Sequence, residues 1–262
     1  MITTYHKPQT LDEALALLTQ PNTVPLGGGT LLSKPTTDSV SVVDLQRLGL
    51  DSISVIGNPS TGSGQALQIG AACTLQSLLE SERCPDPLKS ALKLEAPLNI
   101  RNTASVAGTL VASDGRSTFT TMLLAMDAKV DIQTSKDDTR VLNIGEFILT
   151  RPSGLITSIA IPLNVKTAFE FVSKTPADKP MVCAALAQWN SGRTRLVLGG
   201  YGKTPLLAMD GAEADGLESS IHSAQAAARN AYHEAADEWA SAGYRMDVAA
   251  TLAKRALESL KK

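Results

Sequence analysis

Val24-Pro25-Leu26-Gly27-Gly28-Gly29-Thr30 runs a short apolar strand straight into three consecutive glycines and a threonine. Consecutive glycines permit positive φ. Without Cβ atoms they also allow close approach, so several backbone N–H groups can converge on one oxyanion. A tight glycine turn with no ligand satisfies the same residues, and the loop alone does not separate the two. Upstream, Thr10-Leu11-Asp12-Glu13 has the form of a capping box and opens a helix with Leu11, Ala14, Leu15 and Leu18 as its apolar stripe. Pro21-Asn22 ends that helix. Downstream, Ser41-Val42-Val43-Asp44-Leu45 is a second short strand. Residues 1–57 therefore read as a small helix-and-strand unit with parallel pairing.

Residues 58–66 form a turn-rich connection between Ile53-Ser54-Val55-Ile56 and Leu67-Gln68-Ile69, which predicts a hairpin. Thr74 caps a helix carrying Leu75, Leu78 and Leu79, and another helix fits residues 86–96. A hydroxyl-rich segment, Arg101 to Ser117, precedes the apolar run Met122–Met126. Residues 127–134 alternate with period two and turn at Asp137-Asp138, as an exposed antiparallel strand pair does. After Pro162 the pattern changes. Strand-like runs at 168–173, 182–189 and 194–199 precede a helical tail, Ser219 to Leu260, broken near Ala242-Gly243. The boundaries this suggests are 1–57, 58–165 and 166–262. In the tail, Ala224, Ala227, Ala228, Ala231 and Ala235 recur at helical spacing, and Val248, Ala249, Leu252, Ala256 and Leu257 form a second apolar face. Arg245, in a first turn, is poorly placed for the helix dipole, so a carboxylate or carbonyl partner inside the same domain is expected.

The 24 basic and 26 acidic residues among 262 give a net charge of −2. That balance argues against a nucleic-acid or acidic-membrane binder, which needs a basic face. No apolar run approaches the ~20 residues that span a bilayer, and Met1–Pro8 has no apolar stretch of a secretory signal. Cys73, Cys84 and Cys183 are odd in number and widely spaced, fitting a reducing cytosol without a disulfide framework or zinc site. His6, His222 and His233 are not at metal-ligand spacing. Gly199-Gly200-Tyr201-Gly202-Lys203-Thr204 ends like a P-loop, but the first glycine is replaced by Val197 and Pro205 stands where the helix should begin.

A second segment remains: Arg101-Asn102-Thr103-Ala104-Ser105-Val106-Ala107-Gly108-Thr109. Such a stretch can wrap a diphosphate with backbone amides and hydroxyls. With the glycine loop it could clamp a dinucleotide between subdomains. Neither loop matches the G-x-G-x-x-G fingerprint, so a Rossmann site is not supported.

At these residues the chain resembles the FAD-binding medium subunit of the molybdenum hydroxylases, the family of carbon monoxide dehydrogenase and xanthine-dehydrogenase-like enzymes. Tyr5-His6-Lys7-Pro8 with Leu11-Asp12-Glu13-Ala14 is similar to the family's opening, and Pro25–Leu32 to its first flavin loop. Ile100–Leu110 is in frame with its second, "IRN-x-A-T-(I/V)-G-G-N-L". Leu123-Leu124-Ala125-Met126-Asp127-Ala128-Lys129-Val130 resembles "LLALDAEV". Leu198-Gly199-Gly200 through Pro205 and Gly243-Tyr244-Arg245-Met246 resemble the "GG…P" and "YR" signatures of its C-terminal domain. The resemblance covers essentially the whole chain.

The resemblance implies an α+β fold: a two-part FAD-binding domain of the vanillyl-alcohol-oxidase, or PCMH, type, then a C-terminal antiparallel sheet with helices. The first part would be a small parallel α/β unit and the second a larger mixed or antiparallel one. It implies FAD held by Gly27, Gly28, Gly29, Thr30, Leu31, Ser105, Ala107, Gly108 and Thr109, with Ser117 at a usually acidic position and Lys174 as a basic residue near the flavin. No residue is nominated as general acid or base. A cytoplasmic electron-transfer subunit of an oxidoreductase is implied, partnered by a 2Fe–2S ferredoxin-like subunit and a molybdopterin-binding large subunit. Association with further copies of itself is compatible with that. The family pattern is departed from at Leu31, Ala107, Thr109 and Ser117, which motivates the alternative of a flavin-free structural subunit. Restoring Ala107 to glycine and Thr109 to asparagine would then tighten FAD. A stand-alone FAD reductase of cell-wall precursor synthesis shares a related fold, but its substrate-domain signatures are missing.

Overall fold

The structure, a computed structural model, describes residues 1–33, 39–57, 64–176, 178–212 and 216–261. The first unit comprises β1 (Ile2–His6), α1 (Leu11–Leu18), β2 (Thr23–Leu26) and β3 (Val40–Asp44). Its strands pair in the order β1-β3-β2, and both pairings are parallel, as the sequence predicts. Thr10 Oγ1 accepts the Glu13 amide at 3.2 Å, while Glu13 Oε2 reaches back to the Gln9 amide at 2.8 Å. The cap orients α1 so that Ala14 and Leu15 pack with Val43, Leu45 and Leu155.

The second unit runs β4 (Ile53–Ile56), β5 (Ala66–Gly70), α2 (Leu75–Glu80), α3 (Asp86–Glu95), α4 (Leu98–Arg101), α5 (Val106–Ala112), α6 (Thr118–Ala125), β6 (Lys129–Ser135), β7 (Asp138–Asn143), α7 (Ile144–Thr150) and β8 (Leu155–Pro162). The sheet order is β4-β5-β8-β6-β7, antiparallel throughout. The β4–β5 hairpin is present; most of its connection, residues 58–63, lies outside the described residues. The β6–β7 pair also forms, but β6 is an interior strand against β8 with Val130 and Ile132 buried, so of these two strands it is β7 that forms an edge.

The third unit comprises β9 (Val165–Val172), β10 (Val182–Trp189), β11 (Arg193–Gly199), β12 (Leu206–Ala212), α8 (Leu217–Ala231) and α9 (Ala242–Leu260). Its sheet is antiparallel in the order β12-β11-β10-β9. β10 explains its own composition. Side chains alternate between sheet faces: Val182, Ala184 and Leu186 pack with α8 and α9, whereas Ala185 and Ala187 join the core shared with α6. A strand covered on both sides reads as the continuous apolar run Val182–Ala187. That shared core crosses residue 165, so the C-terminal sheet is seated on the second unit.

Two sequence expectations are corrected here. β12 was not anticipated, because Ala208, Gly211 and Ala212 carry little strand propensity; pairing with β11 overrides it. The helical tail breaks over residues 232–241, not at Ala242-Gly243, which already belong to α9. Arg245 does find its partners within the third unit. It is fully buried and donates to Asp237 Oδ1 and Oδ2 at 2.8 and 3.0 Å and to the Ala235 and Ala240 carbonyls at 2.8 and 3.0 Å.

Candidate functional site

The glycine loop leaves β2 and lies against the segment that enters α5. A Cβ on Gly28 would fall 1.7 Å from the Thr103 carbonyl oxygen, and one on Gly27 would fall 2.5 Å from Ser105 Oγ. These two glycines are therefore required by loop-to-loop packing. Only Gly29, at φ +69°, uses the left-handed freedom. Among the described residues, no turn, loop or side-chain hydrogen bond takes the amides of Gly28, Gly29 or Thr30; within the loop the Ser33 amide donates to the Gly29 carbonyl at 3.0 Å and the Ser33 hydroxyl to the Thr30 carbonyl at 3.4 Å. Among the described residues, three successive N–H groups are thus left to an anion.

The second segment behaves differently. It is not a wrapping loop but the capped start of α5. Ser105 Oγ accepts the Gly108 amide at 3.2 Å, and Thr109 donates both its amide and its hydroxyl to the Ser105 carbonyl, each at 2.9 Å. The Val106 and Ala107 amides go to the carbonyls of Cys73 and Ala71. The donors nominated at Ala107, Gly108 and Thr109 are already engaged within the chain. Ala107 has a helical backbone and is absent from the positive-φ positions, so its Cβ causes no strain. Arg101 is likewise structural: its guanidinium donates to the Ala96 carbonyl at 2.6 Å and to Gln76 Oε1 at 3.0 Å.

Gly27, Gly28, Gly29, Thr30, Leu31, Ser105, Ala107 and Gly108 line one cleft of about 310 Å³, walled on its apolar side by Val111, Leu155 and Ile156. Among the described residues, no charged side chain lines it. Thr109 lines an adjoining cleft of about 220 Å³ with Thr30, Leu31, Glu95, Asp114 and Lys179. On the other side of Gly27-Gly28 a cleft of about 380 Å³ is bordered by Asp51, Thr74, Ser77, Asn102 and Thr103. Burial pushes the Cys73 thiol, which borders that third cleft, up to about 11, so it stays protonated near neutrality.

Two nominated residues lie elsewhere. Ser117 is buried as the N-cap of α6, accepting the Thr120 amide at 3.1 Å and donating to Glu95 Oε2 at 2.9 Å. Its hydroxyl closes a helix end and lines none of the three clefts. Lys174 places Nζ 5.0 Å from the centre of the Trp239 ring, which Arg116 also covers at 4.4 Å. Among the described residues lining the three clefts, the cation is Lys179. Neither it nor Glu95 carries a local motif, because the two meet only through a contact 84 residues apart in sequence.

Comparison with known proteins agrees with this architecture. Residues 1–164 match the FAD-binding domain of molybdopterin dehydrogenases, and the chain belongs to that family, whose cofactor is FAD. The uncharacterised protein YgfM of Escherichia coli K12 is 28% identical over 233 residues, covering 86% of each chain. Among solved structures, a chain of the CO dehydrogenase from Oligotropha carboxidovorans superposes with a TM-score of 0.78 at 24% identity, over 98% of this chain and 97% of that one. A chain of quinoline 2-oxidoreductase from Pseudomonas putida 86 gives 0.76 at 20% identity, over 98% and 96%. The fold is thus shared from end to end, including the C-terminal sheet and helices that follow the FAD-binding domain. Among the described residues, no helix is long and apolar enough to cross a membrane.

Proposed function

We propose that the chain is the FAD-binding electron-transfer subunit of a molybdopterin-dependent hydroxylase or dehydrogenase. It would receive electrons from a 2Fe–2S ferredoxin-like subunit, which draws them from a molybdopterin-binding large subunit, and pass them to an acceptor. The observation that carries the reading is the row of amides at Gly28, Gly29 and Thr30, which take no turn, loop or side-chain hydrogen bond among the described residues and belong to residues lining a cleft whose described walls are uncharged. Such donors suit a diphosphate, and among the described residues no carboxylate lining that cleft opposes one. Bound FAD would supply the redox chemistry. The chain's own residues bind, orient and exclude water. Gly27 and Gly28 hold the loop against the α5 cap, while Leu155, Ile156 and Val111 provide an apolar wall.

In this reading residues 1–57 and 58–165 are the two halves of the FAD-binding domain, and residues 166–262 carry the partner-facing C-terminal domain. The three cysteines are free and buried, which suits a cytoplasmic subunit. Mild purification of the tagged chain from its own cells tests the assignment. Co-elution of FAD with iron and molybdenum is expected. Recovery of the chain with neither metal, under conditions that retain FAD, would contradict the electron-transfer role.

A further inference from the structure

Among the described residues, the clefts around the glycine loop are lined by neutral and acidic side chains with a single exception. Asp51 borders the cleft beside Gly27-Gly28, the central cleft has no charged lining among the described residues, and Glu95, Asp114 and Lys179 border the cleft beside Thr30 and Thr109. Among the described residues lining all three, Lys179 is the sole cation. It comes from the connection between β9 and β10, so the C-terminal sheet supplies it to a site otherwise built by the first two units.

Its position is fixed by a carboxylate that has other duties. Glu95, at the end of α3, is 6% exposed at its side chain, and burying a carboxylate is costly unless it is paired and hydrogen-bonded. Its Oε2 accepts Ser117 Oγ at 2.9 Å and the Phe119 amide at 3.0 Å, at the N-terminus of α6. That leaves Oε1 to Lys179 Nζ at 2.9 Å. The lysine side chain is 45% exposed. An ammonium carries three donors; one goes to Glu95, and among the described residues no other acceptor holds it. Asp114, the remaining acid of that cleft, accepts the Arg116 amide at 2.8 Å.

We infer that Lys179 is a cofactor-facing cation, anchored by Glu95 as its positioning residue, and that its remaining N–H donors engage an anionic group of bound FAD. That group is either the diphosphate or the pyrimidine edge of the flavin ring, which becomes more electron-rich on reduction. The inference rests on the FAD reading above. It also gives the C-terminal unit a part in cofactor binding beyond docking.

The test uses the full chain, wild type beside Lys179→Met and Lys179→Arg, titrated separately with FAD and with riboflavin, which lacks the diphosphate. The midpoint potential of bound FAD and the thermal unfolding midpoint are recorded for each. Lys179→Met should lose about tenfold or more in FAD affinity, the scale of one hydrogen bond to a charged group, and Lys179→Arg should recover most of it. If the diphosphate is the partner, riboflavin binding is unaffected. If the ring is the partner, riboflavin weakens too and the potential becomes more negative. Should Lys179→Met alone unfold by leaving Glu95 unpaired, the double variant Glu95→Gln, Lys179→Met removes both charges and permits the same measurements. Unchanged FAD affinity and potential beside a lowered unfolding midpoint would overturn the inference and leave Lys179 as a counter-ion. A wild-type chain that takes up no FAD overturns the functional reading itself, whereas wild-type binding with an indifferent variant overturns only the role of Lys179.

Discussion

Gly27, Gly28 and Gly29 adjoin in sequence yet are glycines for different reasons, and substitution should separate them. At Gly28 any side chain meets the Thr103 carbonyl and Ala104 backbone. Gly28→Val is therefore expected to part the glycine loop from the α5 cap, destabilising by about 1–3 kcal/mol as overpacking does, with loss of FAD. Gly29→Ala strains a left-handed backbone by about 1–2 kcal/mol but leaves the neighbouring amides in place, so FAD should be retained. Urea denaturation beside a flavin-fluorescence titration distinguishes the two. The sequence makes the oxyanion capacity of this loop legible. It does not make legible that Gly27 and Gly28 are crowded by protein, since Thr103 and Ser105 are remote in the chain. The same blindness applies to Ala107 and Thr109. Read as loop residues they look like lost ligand contacts; inside α5 their amides are already bonded. The double variant Ala107→Gly, Thr109→Asn should cost about 1 kcal/mol of helix stability and should not tighten FAD. A tighter titration would show that α5 rearranges on binding.

The helices of the tail show what element-level reading can and cannot reach. Alanine spacing locates the buried face of α8, where Ala224 and Ala228 lie fully buried, and the position of Arg245 demands a partner. The connector between α8 and α9 escapes sequence because its order comes from that arginine. Asp237 accepts the Trp239 and Ala240 amides at 2.8 and 3.1 Å while also receiving the guanidinium. Burial works against the Asp237 carboxylate, but the Arg245 hydrogen bond and these two amides hold its pKa below the ordinary value. Arg245→Met should cost about 3–5 kcal/mol, as expected when one partner of a buried ion pair is removed. Chemical denaturation would measure it. A loss below about 1 kcal/mol, the scale of an exposed pair, would mean the connector is held by something else. Removing residues 219–262 altogether would bare Val182, Ala184, Leu186, Leu196 and Leu198, so that truncation should fail in stability or assembly.

Across the whole molecule, the second and third units are joined by core packing and by a charge network that no local pattern reveals. Arg193 donates to Asp127 Oδ2 at 2.9 Å and to both oxygens of Asp210 at 2.8 Å, and the buried Arg195 pairs with the same two aspartates. Asp127 follows α6 in a left-handed turn, whereas Asp210 lies on β12. The Arg193 hydrogen bond holds the Asp210 pKa below its ordinary 3.8. A depressed folded pKa contributes stability that is complete above the unfolded value and disappears as pH falls through the folded one. The stability gap between wild type and Asp210→Asn should accordingly be full near neutrality and narrow only in acid below 3.8. A gap that widens with acidification would contradict the sign of the linkage. The parallel first sheet, the hairpin order and the change of pattern near residue 165 are all visible in sequence, because each depends on local periodicity and turns. The meeting of Lys179 with Glu95, and of Arg193 with Asp127, is a product of the fold alone. The central claim is that the open amides of Gly28, Gly29 and Thr30 seat FAD in the cleft they share with α5. Titration of the purified chain with FAD, followed by quenching of flavin fluorescence, tests it most directly. Saturable binding at one FAD per chain is predicted; fluorescence that rises with added FAD as in buffer, without saturation, would contradict it and favour a flavin-free structural subunit.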